Sequence, residues 1–159
     1  MSIFSFPERV NERAARLVAG AVVLLSLTAL VTHAVWLPAV LAIGFGLRVG
    51  WGPRFSPLAK AAVGLAGRLW PPVLVPGRPK RFAQGIGLVV TTIAAVTRAT
   101  ELHLVSDALL ATLAVFATLE SVFAFCFGCW IFGRLQALGW IAADHCEVCA
   151  VEPTVASGS

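Results

Sequence analysis

Charged side chains are scarce in this 159-residue chain, at 13% of the total, where soluble domains carry roughly a quarter. With 58% hydrophobic residues and a mean hydropathy of +0.88, that shortage excludes an ordinary water-soluble domain and identifies an integral membrane protein. The signatures of soluble enzymes are missing as well. No Ser-His-Asp grouping, no carboxylate pair set in a soluble cleft and no dinucleotide fingerprint occurs. Gly44, Gly46, Gly50, Gly85 and Gly87 have no Walker lysine or strand context, which removes a phosphate-cradle reading. The basic residues are not interleaved with aromatics, so the net charge of +4 does not describe a nucleic-acid surface. The length leaves room for one compact bundle and short tails, but not for a separate soluble enzyme domain.

What the chain does have is long apolar runs: Leu17 to Thr32, Ala34 to Leu47, Gly85 to Thr97 and Leu104 to Phe132. The first three are short against the ~20 residues a bilayer core requires, and the fourth is long enough to span even when tilted. Four membrane helices are therefore expected. The first run follows a segment with both acids and bases and no small-residue cleavage pattern, and is read as a retained span. Thr32-His33-Ala34 is a tight connection, and Pro38 fits the first turn of a second helix, giving a helical hairpin with Trp36 at the interface; a re-entrant hairpin is the alternative. Gly46 and Gly50 form a small-x-x-x-small pattern that lets helices approach closely.

Basic residues set the expected orientation. Arg9, Arg13 and Arg16 precede the first span, Arg48, Arg54, Lys60, Arg68, Arg78, Lys80 and Arg81 lie in the central segment, and Arg134 follows the last; Arg98 alone falls opposite. This predicts a multi-pass protein of the cytoplasmic membrane with both termini and the central segment in the cytoplasm. Within that segment, Ser56-Pro57 supplies an N-cap and a first-turn proline. Leu58, Ala61, Ala62, Leu65 and Leu69 recur at helical spacing until Trp70-Pro71-Pro72 ends the pattern. It reads as a helix on the cytoplasmic face with Lys60 and Arg68 snorkelling, or as a buried structural helix. Residues 72–80 read as a proline-rich loop. The fold class is thus an all-α membrane bundle of four spans plus an interfacial helix, with residues 1–134 as the membrane domain and 135–159 as a cytoplasmic tail.

All four cysteines fall in two Cys-x-x-Cys pairs, Cys126/Cys129 at the end of the fourth run and Cys146/Cys149 in the tail. Residues i and i+3 share a helix face, so Cys126 and Cys129 can form a reversible disulfide, accept a persulfide, supply half a metal site, or simply pack as small apolar residues. Placed toward a helix C-terminus, they would lie at the negative end of the dipole, which raises a thiol pKa unless Lys80, Arg81 or Arg134 counters it. The spacing of the two pairs also lies within the range of four-thiolate zinc sites, making Cys126, Cys129, Cys146 and Cys149 an alternative metal set. The surrounding Phe123, Phe125, Phe127, Trp130 and Ile131 make a charged cluster expensive at that depth. A tail folding back would let Cys146 and Cys149 act as an exposed pair exchanging with the first.

Glu120 lies inside the fourth run, where a carboxylate must be neutral, paired or beside water. On a continuous helix, six residues place Cys126 about 240° around from it, so it is not an obvious acid-base partner of the thiol. A neutral Glu120 joining helices through Thr91, Thr92, Ser26 or Thr28 is expected; the alternative is a proton or substrate pathway, with Arg48 as another possible partner. His33, Glu101, His103 and Asp107 read as solvated loop or cap residues without metal-like clustering.

Phe6-Pro7-Glu8-Arg9-Val10-Asn11, Arg48 with Gly52-Pro53-Arg54-Phe55-Ser56-Pro57-Leu58, Pro79 to Gly87, and Leu119-Glu120 with Cys126-Phe127-Gly128-Cys129 together resemble an uncharacterised prokaryotic membrane family, a domain of unknown function (DUF 4395), over roughly residues 6–134. The resemblance implies a small multi-helix membrane protein whose relatives can occur beside thioredoxin-like or sulfurtransferase-like proteins. Cys146 and Cys149 lie outside the matched motifs, so a shared function needs only the first pair. The leading expectation is a membrane-embedded thiol-disulfide or sulfur-relay component, with no bound cofactor. A scaffold or zinc-binding module, and a small transporter using Glu120, are the alternatives.

Overall fold

The computed structural model describes residues 9–52 and 55–140. Arg54, Cys146 and Cys149, and with them the four-cysteine site and the thiol relay through the tail, lie outside the described residues. The chain runs β1 (Arg9–Asn11), α1 (Glu12–Thr32), α2 (Leu37–Trp51), α3 (Pro57–Leu69), β2 (Leu74–Pro76), α4 (Gly77–Ala99), α5 (His103–Phe123) and α6 (Phe127–Ala137). Helix α1 packs on α5 and α3, and α4 on α2, α5 and α6.

Among the described residues, three helices, α1, α4 and α5, are long and apolar enough to cross a membrane. This makes the chain a multi-pass membrane protein and corrects the expected count of four. The second apolar run forms only the 15-residue α2, about 22 Å long against a hydrocarbon core of roughly 30 Å. The fourth run is not one helix either. It stops at Phe123, where Ala124 turns left-handed at φ 58° and its N–H bonds to the Leu119 carbonyl, and it restarts at Phe127.

The third span is longer than its apolar run, because residues expected in a proline-rich loop form β2 and then the first turn of α4, with Pro79 placed where a helix has N–H groups to spare. Strand β2 pairs antiparallel with β1, Val10 opposite Val75. The starts of α1 and α4 therefore lie at one end of the bundle, together with the end of α5 and with α6.

Helix α3 forms as the capping residues predict, with Ser56 Oγ accepting from the Ala59 N–H. Its buried face is Ala59, Ala62 and Ala66, packed against Ala14 and Val18 of α1, while Leu65 and Leu69 point outward. Small residues let α3 lie close on α1, and the leucines remain available to lipid.

The main core joins Val22 and Ala29 of α1, Leu37, Leu41 and Phe45 of α2, Ala94 of α4, and Leu110 and Ala117 of α5. Helices α2 and α4 pack tightly at Gly87, where a Cβ would sit 2.5 Å from the Phe45 ring; a Cβ at Gly46 would make only ordinary contact and one at Gly50 none. The bundle's opposite end is closed by Arg98, 2% exposed. It bonds Asp107 at 2.5 Å and meets His103 at 3.5 Å, while His33 lies 3.9 Å from Asp107. His103 and Asp107 thus meet the buried Arg98 guanidinium and His33 approaches Asp107, while His33 and His103 themselves remain exposed.

Candidate functional site

The break between α5 and α6 decides the character of the thiols. Cys126 is the N-cap of α6, with its Sγ accepting from the Cys129 N–H at 3.4 Å. The pair therefore lies at a helix N-terminus, where backbone N–H groups and the dipole favour a thiolate. The expected position toward a helix C-terminus is corrected, and with it the electrostatic objection to a reactive thiol. The two sulfurs are 2.7 Å apart and both residues are half-buried free cysteines.

Their protonation is asymmetric. The hydrogen bond from the Cys129 thiol holds the Cys126 pKa below the usual cysteine range, and Lys80 adds to it against burial and the Glu120 carboxylate. The Cys129 thiol, donating to Cys126 and partly buried, is pushed up. One thiolate beside one thiol is the state in which a dithiol attacks another sulfur or an electrophile and then resolves the product.

Aromatic and small residues hold α6 in place. A Cβ on Gly128 would lie 2.6 Å from both Cα and Cβ of Ala83, so the glycine permits backbone-close packing of α6 on α4 rather than space beside the thiols. Phe127 stacks on Phe116 of α5 at 4.4 Å, and Phe82 of α4 meets Phe132 at 5.5 Å. Arg134 lies over the Trp130 ring.

Basic residues of this end finish helices. Arg16 donates to the Ser121 and Val122 carbonyls at 2.9 Å each, capping the last turn of α5 just before the cysteine loop. Arg81 donates to the Val49 carbonyl at the end of α2. Such carbonyls lack intrahelical donors, so each contact satisfies an otherwise orphaned acceptor. Nothing in the sequence pattern distinguishes these arginines from ones that merely set orientation.

Glu120 finds Lys80, not the expected hydroxyls. Lys80 Nζ lies 2.5 Å from Glu120 Oε1. The threonine hydroxyls bond instead to carbonyls of their own helices: Thr28 to Leu24, Thr91 to Gly87, Thr92 to Leu88. Ser26 Oγ is buried without a partner among the described residues. Because α5 ends before Cys126, the angular separation of a continuous helix no longer applies. Glu120, Lys80, Arg48 and Cys126 line one cavity of about 200 Å³, together with Gln84, Phe45, Phe116 and Phe127. Sequence reasoning missed Gln84, whose polarity within an apolar helix was the available signal.

The cavity also reaches Val22, Val90 and Leu113, near the middles of α1, α4 and α5. A largely apolar slot thus runs from the thiol into the bundle. Among the described residues no group of three or more His, Cys, Asp or Glu side chains converges to hold a metal ion.

No curated protein and no solved structure matches the chain. Residues 10–137 match the family described as Domain of unknown function (DUF4395), a match running from β1 through the last residue of α6. The cysteine site and the helices that frame it fall within it, and the chain belongs to that family.

Proposed function

We propose that the protein is a membrane-embedded thiol-disulfide component, in which Cys126 is the attacking thiolate and Cys129 the resolving thiol. The observation that carries this reading is the placement of Cys126 at the N-cap of α6 with the Cys129 sulfur 2.7 Å away. An N-terminal cap stabilises the thiolate by dipole and N–H donors, and Lys80 supplies a nearby cation. Glu120 holds that cation in position.

The exchange balances without an outside cofactor. The Cys126 thiolate attacks a partner disulfide, forming a mixed disulfide and releasing one partner thiolate. The Cys129 sulfur then displaces the second partner sulfur, leaving Cys126–Cys129 oxidised and the partner as a dithiol. The reverse sequence reduces the membrane pair. A soluble thioredoxin-like protein at the cytoplasmic face suits this exchange, since Phe125 and Trp130 beside the pair are exposed. Sulfur relay uses the same geometry: the Cys126 thiolate takes the outer sulfur of a donor persulfide and expels the donor thiolate, then Cys129 attacks the Cys126 sulfur, expelling hydrosulfide and leaving the Cys126–Cys129 disulfide for a dithiol partner to reduce.

The test is trapping with purified components. In a chain that also carries Cys146→Ser and Cys149→Ser, Cys129→Ser should accumulate a mixed disulfide with a single-cysteine thioredoxin whose thiol is activated as its thionitrobenzoate disulfide, releasing thionitrobenzoate and giving a reducible band shift, and Cys126→Ser should not. Equal trapping by both variants, or by neither, would contradict the assigned order of attack.

A further inference from the structure

The cavity beneath the thiols contains polar groups that the exchange with a soluble protein does not use. Arg48 is 3% exposed. Its side chain donates Nε to the Gly44 carbonyl at 2.9 Å and lies 4.4 Å over the Phe45 ring. Among the described residues, no acceptor bonds the N–H groups of its two terminal nitrogens. Gln84 Oε1 is likewise buried with no donor among the described residues. Leaving the buried Gln84 Oε1 without a donor costs on the order of 1–3 kcal/mol, and Arg48, whose terminal N–H groups have no acceptor among the described residues, lines the same cavity, so an acceptor and a donor left open there point to a ligand that bonds both.

The rest of the cavity restricts what that ligand is. Its walls are mainly Ala, Val, Ile, Leu and Phe. From Ala14 to Val22 on α1 it follows eight residues, about 12 Å of helix, from the end of the bundle to the middle of a span. A small inorganic anion would leave this length unfilled and gain nothing from the apolar wall. The fit is a flat ring bearing oxygen acceptors at the thiol end and an apolar substituent running toward the bilayer centre.

We infer that the cavity binds a membrane quinone, which accepts the electrons of the Cys126–Cys129 dithiol. This rests on the thiol-exchange reading and supplies its second substrate. The two cysteine sulfurs bond to each other, two electrons pass to the quinone ring, and its two carbonyl oxygens take up the two protons of the dithiol. The products are one disulfide and one hydroquinone. Arg48 donates to a quinone carbonyl and stabilises negative charge developing on it, and Gln84 Oε1 accepts from a hydroquinone O–H. The Lys80–Glu120 pair, lining the same cavity, is placed to pass on the proton that Cys126 has already lost. A soluble dithiol then re-reduces the pair.

The experiment uses the full chain carrying Cys146→Ser and Cys149→Ser, in phospholipid nanodiscs without oxygen, with a short-chain ubiquinone. The ubiquinone ring is fully substituted, which suppresses direct thiol addition. Expected is one hydroquinone formed per Cys126–Cys129 disulfide, with none in Cys126→Ser. Arg48→Leu should raise the quinone concentration for half-maximal rate at least tenfold, Arg48→Lys should recover part of it, and Ala15→Phe, filling the cavity from a half-buried wall position, should act like Arg48→Leu. Oxidation by diamide separates the two levels of the argument. A disulfide formed by diamide with no hydroquinone at any quinone concentration overturns the quinone site and leaves thiol exchange standing; no disulfide with either oxidant overturns both. Unchanged quinone dependence in both Arg48→Leu and Ala15→Phe, or a phospholipid that occupies the cavity and that quinone does not displace, also overturns the inference.

Discussion

Lys80 Nζ lies 2.5 Å from Glu120 Oε1, joining the first turn of α4 to the last turn of α5 beside the cysteine loop. Both side chains are largely shielded, at 10% and 22% exposure, so neither charge is well solvated alone. Removing one partner of a buried pair is costly because the other is stranded, by about 3–5 kcal/mol. Partial access to water places the cost here at the lower end. Lys80→Met should lower the melting temperature of the detergent-solubilised protein, and Lys80→Met with Glu120→Gln should recover at least half of that loss. A double variant no better than the single would show that the two residues stabilise independently.

The same pair sets the reactivity of Cys126, with opposite signs for its two members. Lys80 favours the thiolate and Glu120 disfavours it. Alkylation of Cys126 by iodoacetamide should rise with pH around a midpoint below the ~8.5 of a free cysteine. Lys80→Met should move that midpoint up and Glu120→Gln should move it down. A purely structural role would move both in the same direction, through loosened packing.

Gly128 and Gly87 make different demands on their neighbours. At Gly128 an added Cβ meets the Ala83 Cα, which is backbone, whereas at Gly87 it meets only the Phe45 ring. Overpacking of this kind costs about 1–3 kcal/mol. Gly87→Ala should be largely rescued by Phe45→Leu, which withdraws the ring. Gly128→Ala should not be rescued by Ala83→Gly, since the Cα remains, and it should slow thiol trapping by displacing α6. Thermal unfolding, combined with alkylation rate, reads both effects.

Ala124 occupies a left-handed conformation, φ 58°, between α5 and α6. An L-residue there costs about 1–2 kcal/mol, and glycine avoids most of it while losing more freedom on folding. Ala124→Gly should therefore raise stability by up to about 1 kcal/mol, whereas Ala124→Val should lower it by more. If Ala124→Val were neutral, the break between the two helices would not be required.

Features governed by local chemistry were legible in the sequence. Ser56-Pro57 starts α3 and Trp70 ends it because a cap and a missing N–H act over a few residues. Pro38 opens α2 for the same reason. The Cys126/Cys129 pair stood out as a motif, and Glu120 as a carboxylate in an apolar run. The split of the fourth run did not stand out, since Phe123 to Phe127 contains no proline or glycine and hydropathy continues across it. What breaks the helix there is tertiary: Arg16 caps the carbonyls of Ser121 and Val122, and Gly128 docks α6 on Ala83.

The sequence by itself determined that this is a membrane protein with a dithiol, because the transfer of apolar surface from water and the reactivity of thiols belong to residues wherever they are placed. Only the tertiary structure decided that the dithiol caps a helix N-terminus, that Lys80 and not a threonine meets Glu120, and that Arg48 and Gln84 share a cavity with Cys126. Those relations depend on distances between helices remote in the chain. They follow from where Gly128 lets the backbones of α6 and α4 approach and Gly87 admits the Phe45 ring, and hydropathy carries no record of such contacts.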